Sequence, residues 1–462
     1  MKPRVLALHV ALVLGLWFFG TLVYVAKFVG FGQPGWFAID AVIATTCFGV
    51  VFWRWEELGI RIVTRLQLVA IIALTTFCAY KVMVIVPDAH WRQADELQYL
   101  ATVTEGTLRT DAPMPFSLRL LLPLLAGRFN VYPAAPGPLA LAALNFASLV
   151  ITGVYLVLLI RRLGVRFWLA LLAPIFLLSS FLGEFASIDR LVVDPLNYAF
   201  YVLLFHALVR RDHWKLMMVL LLLCGVASEK ALYWVPVIGI AELLRRPRPW
   251  KLADLVASAI HMFKVSGPYL AYLALTLYLV RNASAPENHS YVQHLHLMSP
   301  TWHWVTITKL PVQVARFQTY WFPFGGFTIY ALLALRLVPK WTTTVVLMLL
   351  PIMVQPIFAW DTERMVAYAF IVYLPLGMVF LEHAFRTFPR WLPPILATLL
   401  VVLAFSQRWL VYLKWIPAEA PPFRLVRLVV SAGEILLIAS ICFMALVVFR
   451  EEDTSASGER EH

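Results

Sequence analysis

Apolar runs of about 20 residues, separated by short polar turns, recur along almost the whole of this chain. A run of that length forms a helix able to cross a hydrocarbon core about 30 Å thick, with its backbone N–H and C=O groups paired inside the helix. We read about fourteen such segments, at 5–26, 37–53, 66–86, 138–160, 167–187, 191–209, 214–228, 231–244, 254–280, 319–337, 341–360, 365–382, 391–411 and 424–449. They predict an all-α polytopic membrane protein. Composition agrees, because only 14% of the residues are charged against roughly 25% in a soluble domain that must hold a polar surface. An ordinary soluble enzyme is excluded. The first run is too long, and lacks a small-residue cleavage site, to read as a removable signal peptide, so it is expected to stay as an anchor.

The net charge of +12 would suggest a nucleic-acid partner in a soluble chain. Here the basic residues sit in short turns between apolar runs, where they report orientation instead. Alternate connections hold Lys2 and Arg4; Arg54, Arg61 and Arg65; Arg161, Arg162 and Arg166; Arg210, Arg211 and Lys215; Arg245, Arg246, Arg248 and Lys251; Arg336 and Lys340; Arg386 and Arg390; Arg450 and Arg460. Those groups take 21 of the 38 Lys and Arg, although the opposite connections are longer together. By the positive-inside rule both termini are expected in the cytoplasm. The four cysteines, Cys47, Cys78, Cys224 and Cys442, each lie inside an apolar run and read as packing residues rather than a disulfide framework.

The organisation expected is an N-terminal transmembrane hairpin over 1–65, a catalytic transmembrane module over 66–385, C-terminal transmembrane helices over 386–449, and a disordered cytoplasmic tail over 450–462. Two non-cytoplasmic loops, 87–137 and 281–318, are much longer than a turn, and long loops are where a polytopic protein usually keeps its chemistry. Juxtamembrane helices are expected in both. From Trp91 the first loop places Trp91, Ala94, Leu97 and Ala101 on one helical face, with Arg92, Asp95, Glu96 and Tyr99 on the others. That pattern fits a helix lying in the membrane interface with its acids just above the lipid. The following segment, Pro115-Phe-Ser-Leu-Arg119-Leu-Leu-Leu-Pro123, is too short to span and carries Arg119 to membrane depth, where an arginine needs an anionic partner or snorkels to water.

Four further polar groups fall on the same side: Glu184, Asp189, Arg190 and Asp194; Ser228-Glu229-Lys230; His289, His294 and His296; and Asp361, Glu363 and Arg364. Singly each has a bland reading, with Asp189 and Asp194 as helix caps and Glu229-Lys230 as a surface ion pair. Together they point to a shared polar cavity near the non-cytoplasmic interface. The histidine spacing fits no familiar zinc pattern, so no metal is assigned, and a divalent cation is left open. Glu434 stands alone within the last span, as a proton site or a packing group.

The acidic pair before an aromatic, Asp95-Glu96-Leu-Gln-Tyr99, followed by Arg119 and Pro123 in an apolar segment, resembles the membrane glycosyltransferases of the GT-C superfamily. Asp194-Pro-Leu-Asn-Tyr198 opening a span, Ser228-Glu229-Lys230 leading to Pro236, and Asp361-Thr-Glu-Arg364 opening another are similar to stretches in lipid-phosphate-sugar transferases of that superfamily. The resemblance covers roughly 66–385. It departs from the usual pattern in placing the acidic loop after the third span and in carrying no soluble C-terminal domain, which puts a protein acceptor in doubt.

The resemblance implies transfer of one sugar from a polyprenyl-phosphate-linked donor to a hydroxyl of a glycan or lipid acceptor, with inversion, on the non-cytoplasmic side of a membrane, expected to be the bacterial inner membrane. Such a reaction asks for a carboxylate that takes the acceptor proton and for cations that stabilise the leaving phosphate. Asp95 is the expected base, with Glu96 and Asp88 as substitutes. Arg119, Lys230 and Arg364 are the expected phosphate contacts. Asp189, Asp194, Glu229 and Asp361 would position hydroxyls or hold those cations, and Trp91 and Tyr99 would stack on sugar or line the lipid groove. No nucleotide or nucleic acid is implied, and protein partners are left open. A transporter or lipid flippase is the main rival and predicts polar groups near the bilayer midplane; a polysaccharide polymerase or ligase is the second, kept open by the histidines of the second loop.

Overall fold

The computed structural model describes residues 3–29, 34–55, 62–85, 137–179, 193–210, 214–247, 249–283, 326–339, 342–354, 366–387 and 390–395, with Leu121, Leu125 and Phe324. Among the described residues every regular element is helical and no strand occurs. In chain order these are α1 (Pro3–Val29), α2 (Pro34–Trp53), α3 (Arg65–Tyr80, continued by a π turn, Lys81–Ile85), α4 (Gly137–Arg162), α5 (Phe167–Ala170), α6 (Leu172–Ser179), α7 (Asp194–Arg210), α8 (Trp214–Ala227), α9 (Trp234–Leu244, preceded by a 3-10 turn, Glu229–Tyr233), α10 (Leu252–Ala283), α11 (Gly326–Ala334), α12 (Thr342–Val354) and α13 (Phe370–Thr387). Among the described residues three stretches, Arg4–Ala26, Arg65–Met83 and Leu141–Arg162, are long and apolar enough to cross a membrane. Ala38–Trp53, Phe167–Leu178, Trp214–Ala227 and Thr342–Met353 are apolar but shorter. Val42, Phe77, Ile260, Phe263 and Leu350 face outward, as suits helices whose outer surface meets lipid rather than water.

The post of the bundle is α4. It is apolar on all sides, and from Leu141 to Ile160 every residue is buried, as a helix without a polar face must be. Around it stand α1, α3, α6, α7 and α13. Where apolar surface is all alike, close backbone approach through small residues decides which faces meet. A Cβ placed on Gly20 of α1 would lie 2.8 Å from the Cα of Ala147, so α1 touches α4 backbone to backbone. The hydroxyls on α4 are hidden against its own carbonyls: Ser148 Oγ donates to Leu144 O at 2.8 Å and Thr152 Oγ1 to Ser148 O at 2.7 Å. The helix stops at Arg162, and Gly164 takes φ 90° just beyond it, the left-handed conformation that turns the chain after a C-terminus.

The expected spans differ locally in two places. The run from 167 is not one helix, because α5 ends at Ala170 and α6 begins at Leu172. Pro174 explains the break: it has no N–H for the carbonyl of Ala170, and its ring clashes there. The seventh and eighth runs become α8 and α9, about 21 Å and 16 Å long at 1.5 Å per residue. Ser228 is extended (φ −163°, ψ 143°) and its side chain caps the 3-10 turn through the N–H of Lys230. Both short helices pack on α10, which at 32 residues is about 48 Å long. Their connecting turn is therefore recessed along the side of α10. Leu121 and Leu125, helical and one turn apart, pack against the core.

The flat contact of Tyr269 on Gly225 fixes how α8 meets α10, since a Cβ at 225 would lie 2.0 Å from the ring. Gly225→Ala is expected to lower stability by about 1–3 kcal/mol. Gly49, with nothing within 4 Å, should accept alanine without loss. Thermal unfolding of the two purified variants in one detergent checks the difference.

Candidate functional site

One end of the bundle gathers the arginine-rich turns. Arg161 donates to the carbonyl of Ile62 through Nη2 at 2.8 Å and Nε at 3.1 Å, and also to Val165 O. Arg166 meets Glu382 in a forked pair at 2.9 and 3.1 Å, adds its backbone N–H at 2.9 Å, and lies against the rings of Trp168 and Phe385. Arg386 reaches the same carboxylate at 2.9 Å. Arg210 bonds His9, whose ring packs beside Tyr155 and His206, and Arg245 donates to Leu208 O at 2.7 Å. Arg246 pairs with Asp254 and Glu242. A small apolar gap lined by Leu163, Val209 and Val338 places the turn after α11 in the same layer. Six basic turns separated in sequence thus share one end.

At the other end three chain segments converge on a single carboxylate. Asp194 opens α7, Lys230 lies in the turn between α8 and α9, and Tyr368 stands just before α13. Lys230 Nζ donates to Asp194 Oδ1 at 3.2 Å, and Tyr368 Oη donates to the same oxygen at 2.6 Å. The ammonium also lies 4.2 Å from the centroid of the Tyr368 ring, a cation–π contact. Asn197, one helical turn after Asp194, donates from Nδ2 to Tyr368 Oη at 3.3 Å. The side chains of Lys230 and Asp194 are 4% and 0% exposed. Taking two charges this far out of water costs several kcal/mol each, so their partners must be well placed.

The turn itself is anchored by tyrosines. Tyr201 Oη donates to Lys230 O at 2.9 Å and Tyr269 Oη to Glu229 O at 3.1 Å, while Ser228 Oγ donates to the Glu229 carboxylate at 3.2 Å. Tyr198, Tyr201, Trp234 and Phe370 wall the cluster through edge-on ring contacts of 5.0–5.5 Å with one another and with Tyr368. Among the described residues, Trp234 Nε1 and Asn197 Oδ1 are buried without a hydrogen-bond partner.

The distance between the two ends follows from helix geometry. Sixteen residues separate Asp194 from Arg210 on α7, about 24 Å at 1.5 Å per residue. Sixteen separate Phe370, two residues after Tyr368, from Arg386, again about 24 Å on the same rise. Tyr269 on α10 stands about 27 Å above Lys251 by the same count. Three independent helices therefore put the cluster about 24–27 Å of helix axis from the basic end, and α10 runs another fourteen residues past Tyr269.

Of the site residues expected from sequence, Asp194, Glu229 and Lys230 are described, and the structure brings Asp194 and Lys230 into direct contact. Lys230 is thereby a buried partner of a distant acid and not half of a surface pair, and Asp194 serves a contact beyond any capping role. Asp88, Trp91, Asp95, Glu96, Tyr99, Arg119, Asp189, Asp361 and Arg364 lie outside the described residues, as do His289, His294, His296 and Glu434. Tyr368, Asn197, Tyr201 and Tyr269 were not singled out by sequence. Only Asn197 carried a readable signal, three residues after Asp194 on a helix and so on the same face.

No family model, no curated protein and no solved structure matches the chain.

Removing one partner of a buried pair strands the other. Asp194→Ala is expected to lower unfolding stability by about 3–5 kcal/mol, whereas Asp194→Leu combined with Lys230→Met, which removes both charges, should recover most of that loss. Chemical unfolding of the three proteins in detergent checks it; equal loss in both variants would mean that shape and not charge holds the three segments together.

Proposed function

We propose that this chain is an integral-membrane glycosyltransferase of GT-C type, with about fourteen spans and both termini in the cytoplasm. It moves one sugar from a polyprenyl-phosphate-linked donor to a hydroxyl of a glycan or lipid acceptor at the non-cytoplasmic face, with inversion at the anomeric carbon. The observation that carries this reading is the height of the Asp194–Lys230–Tyr368 cluster. Positive turns mark the cytoplasmic boundary, and a group about 24–27 Å above that boundary lies just inside the outer edge of a hydrocarbon core about 30 Å thick. A transporter's site belongs near the midplane, about 15 Å from either boundary. A lipid-linked donor carries its phosphate at the interface, where this ammonium stands.

The residues divide the work by chemistry. Asp95, with Glu96 or Asp88 in reserve, takes the proton of the acceptor hydroxyl as its oxygen bonds the anomeric carbon. The bond from that carbon to the phosphate oxygen breaks, and its electron pair leaves with the lipid phosphate. Lys230, Arg119 and Arg364 meet the charge that develops there. Arg364 is four residues before Tyr368 and Asp361 seven, so chain length alone keeps them within about 14 Å and 25 Å of it, Cα to Cα. Asp189 stands five residues before Asp194 under the same constraint. Asp194, Glu229, Asp189 and Asp361 hold cations or sugar hydroxyls, and Trp91 and Tyr99 offer ring faces to sugar or lipid. The chemistry needs no nucleotide, and a divalent cation at the phosphate is compatible with these acids.

The test is transfer of labelled sugar from defined polyprenyl-phosphate sugars by the purified protein, beside Asp95→Asn. Wild type should transfer, and the variant should lose about a hundredfold or more in rate while unfolding at the same temperature. A variant that keeps its rate would move the base to Glu96 or Asp88. Substrate-dependent flux in proteoliposomes without sugar transfer would replace the reading by a transporter.

A further inference from the structure

Two lysines stand on the outer side of α8 and α10, beside exposed side chains that are apolar. On α10, Ile260 and Phe263 face outward, and Lys264 is exposed next to them. Ten residues separate Lys264 from Asp254, which pairs with Arg246 in the basic layer, so its backbone lies about 15 Å along the helix from that end. A lysine set against hydrocarbon is costly unless its ammonium reaches water or an anion. Among the described residues no carboxylate pairs with Lys264, and its ammonium rests 4.1 Å from the centroid of the Trp214 ring.

The helix sets the direction of that contact. Side chains on α10 lean toward its N-terminus, which is the basic end, and Trp214 opens α8 on the same side. Lys215, the next residue, is exposed, and its Nζ lies 5.8 Å from the centroid of the same ring. One indole thus draws together cations from two helices. Thirteen residues separate Trp214 from Ala227, about 20 Å of axis, whereas the basic layer lies about 24–27 Å from the Lys230 turn. Trp214 therefore stands about 5–7 Å inside that layer. The whole of α8 is shorter than a hydrocarbon core about 30 Å thick, and a bilayer meets a short helix by thinning beside it, which draws headgroups inward. Headgroups and the Lys264 ammonium approach the indole from opposite directions.

We infer that Lys264 and Lys215, set on the Trp214 ring, form an external site for the phosphate of an anionic glycerophospholipid in the leaflet beside the basic turns. A zwitterionic headgroup brings its own ammonium to its phosphate, whereas phosphatidylglycerol presents a net negative charge, so charge complementarity selects the anionic lipid. Its acyl chains lie along Val219 and Leu223 of α8 and Ile260 and Phe263 of α10, all exposed. The site needs only a membrane boundary at the basic turns and is independent of the transferase chemistry.

Native mass spectrometry of the full-length protein in detergent, titrated with phosphatidylglycerol and with phosphatidylcholine of the same acyl chains, tests the site. Wild type should bind its first phosphatidylglycerol about tenfold more tightly than phosphatidylcholine. Lys264→Met keeps an unbranched side chain and removes the charge; it should bring the two lipids to within about threefold of each other while unfolding at the wild-type temperature. Lys264→Arg should keep the preference, as should Lys81→Met, at an exposed lysine of the π turn after α3. Equal binding of both lipids by wild type, or a preference that survives in Lys264→Met, overturns the inference. Displacement of phosphatidylglycerol by glycerol 3-phosphate overturns it in favour of a soluble anion. A wild-type dimer that Lys264→Met dissociates overturns it in favour of a second copy of the chain on this face.

Discussion

A lysine ammonium held inside a helical bundle has to be answered by a carboxylate, and that requirement binds together parts of this chain that are far apart in sequence. Lys230 and Asp194 lie 36 residues apart, and Tyr368 lies 174 from Asp194. Each belongs to a different local element: the start of α7, the 3-10 turn and the lead into α13. None of the three could shift without breaking a bond that water cannot replace. The tyrosines around them serve the same end by tying the backbone of the turn, so that Ser228, Glu229 and Lys230 keep their place although α8 and α9 are too short to reach the ends of α10.

The opposite end obeys a different rule. Its arginines are only partly buried and bond mainly to backbone carbonyls and to carboxylates near the ends of helices, as with Arg161 on Ile62 O and Arg245 on Leu208 O. Such contacts anchor helix ends and mark a boundary with water. The contrast between a layer of basic turns and a recessed, aromatic-walled cluster gives the bundle a polarity along its axis, from which the proposed sidedness of the chemistry follows.

Much of this was legible in the sequence. Apolar runs located the helices that are described, Asp194 and Ser228-Glu229-Lys230 marked polar turns that solubility does not require, and the alternation of basic turns put Arg161, Arg210, Arg245 and Arg386 on one side. What the sequence hid has physical causes. Tyr368 is one of 17 tyrosines, and nothing local separates one that bonds a distant acid from one in an interfacial belt. The break between α5 and α6 depends on which carbonyl Pro174 faces, which an apolar run masks. The pairing of Glu382 with Arg166 required knowing that α13 ends beside α5, a tertiary fact. The helix Asp194–Arg210 illustrates both cases: its ends were readable from charge, whereas His206 within it gave no sign of meeting His9 and Tyr155.

The account turns on the height of the Lys230 turn in the membrane. Leu232, in the same 3-10 turn and 44% exposed, offers a direct probe of it. With Cys47, Cys78, Cys224 and Cys442 replaced, a nitroxide on Leu232→Cys in a bilayer reports its depth through relaxation by oxygen against a water-soluble nickel chelate. The account predicts a label within about 6 Å of the non-cytoplasmic boundary of the hydrocarbon core, relaxed by chelate added on that side. A label near the midplane, about 15 Å from both boundaries, or one reached from the cytoplasmic face, would contradict it.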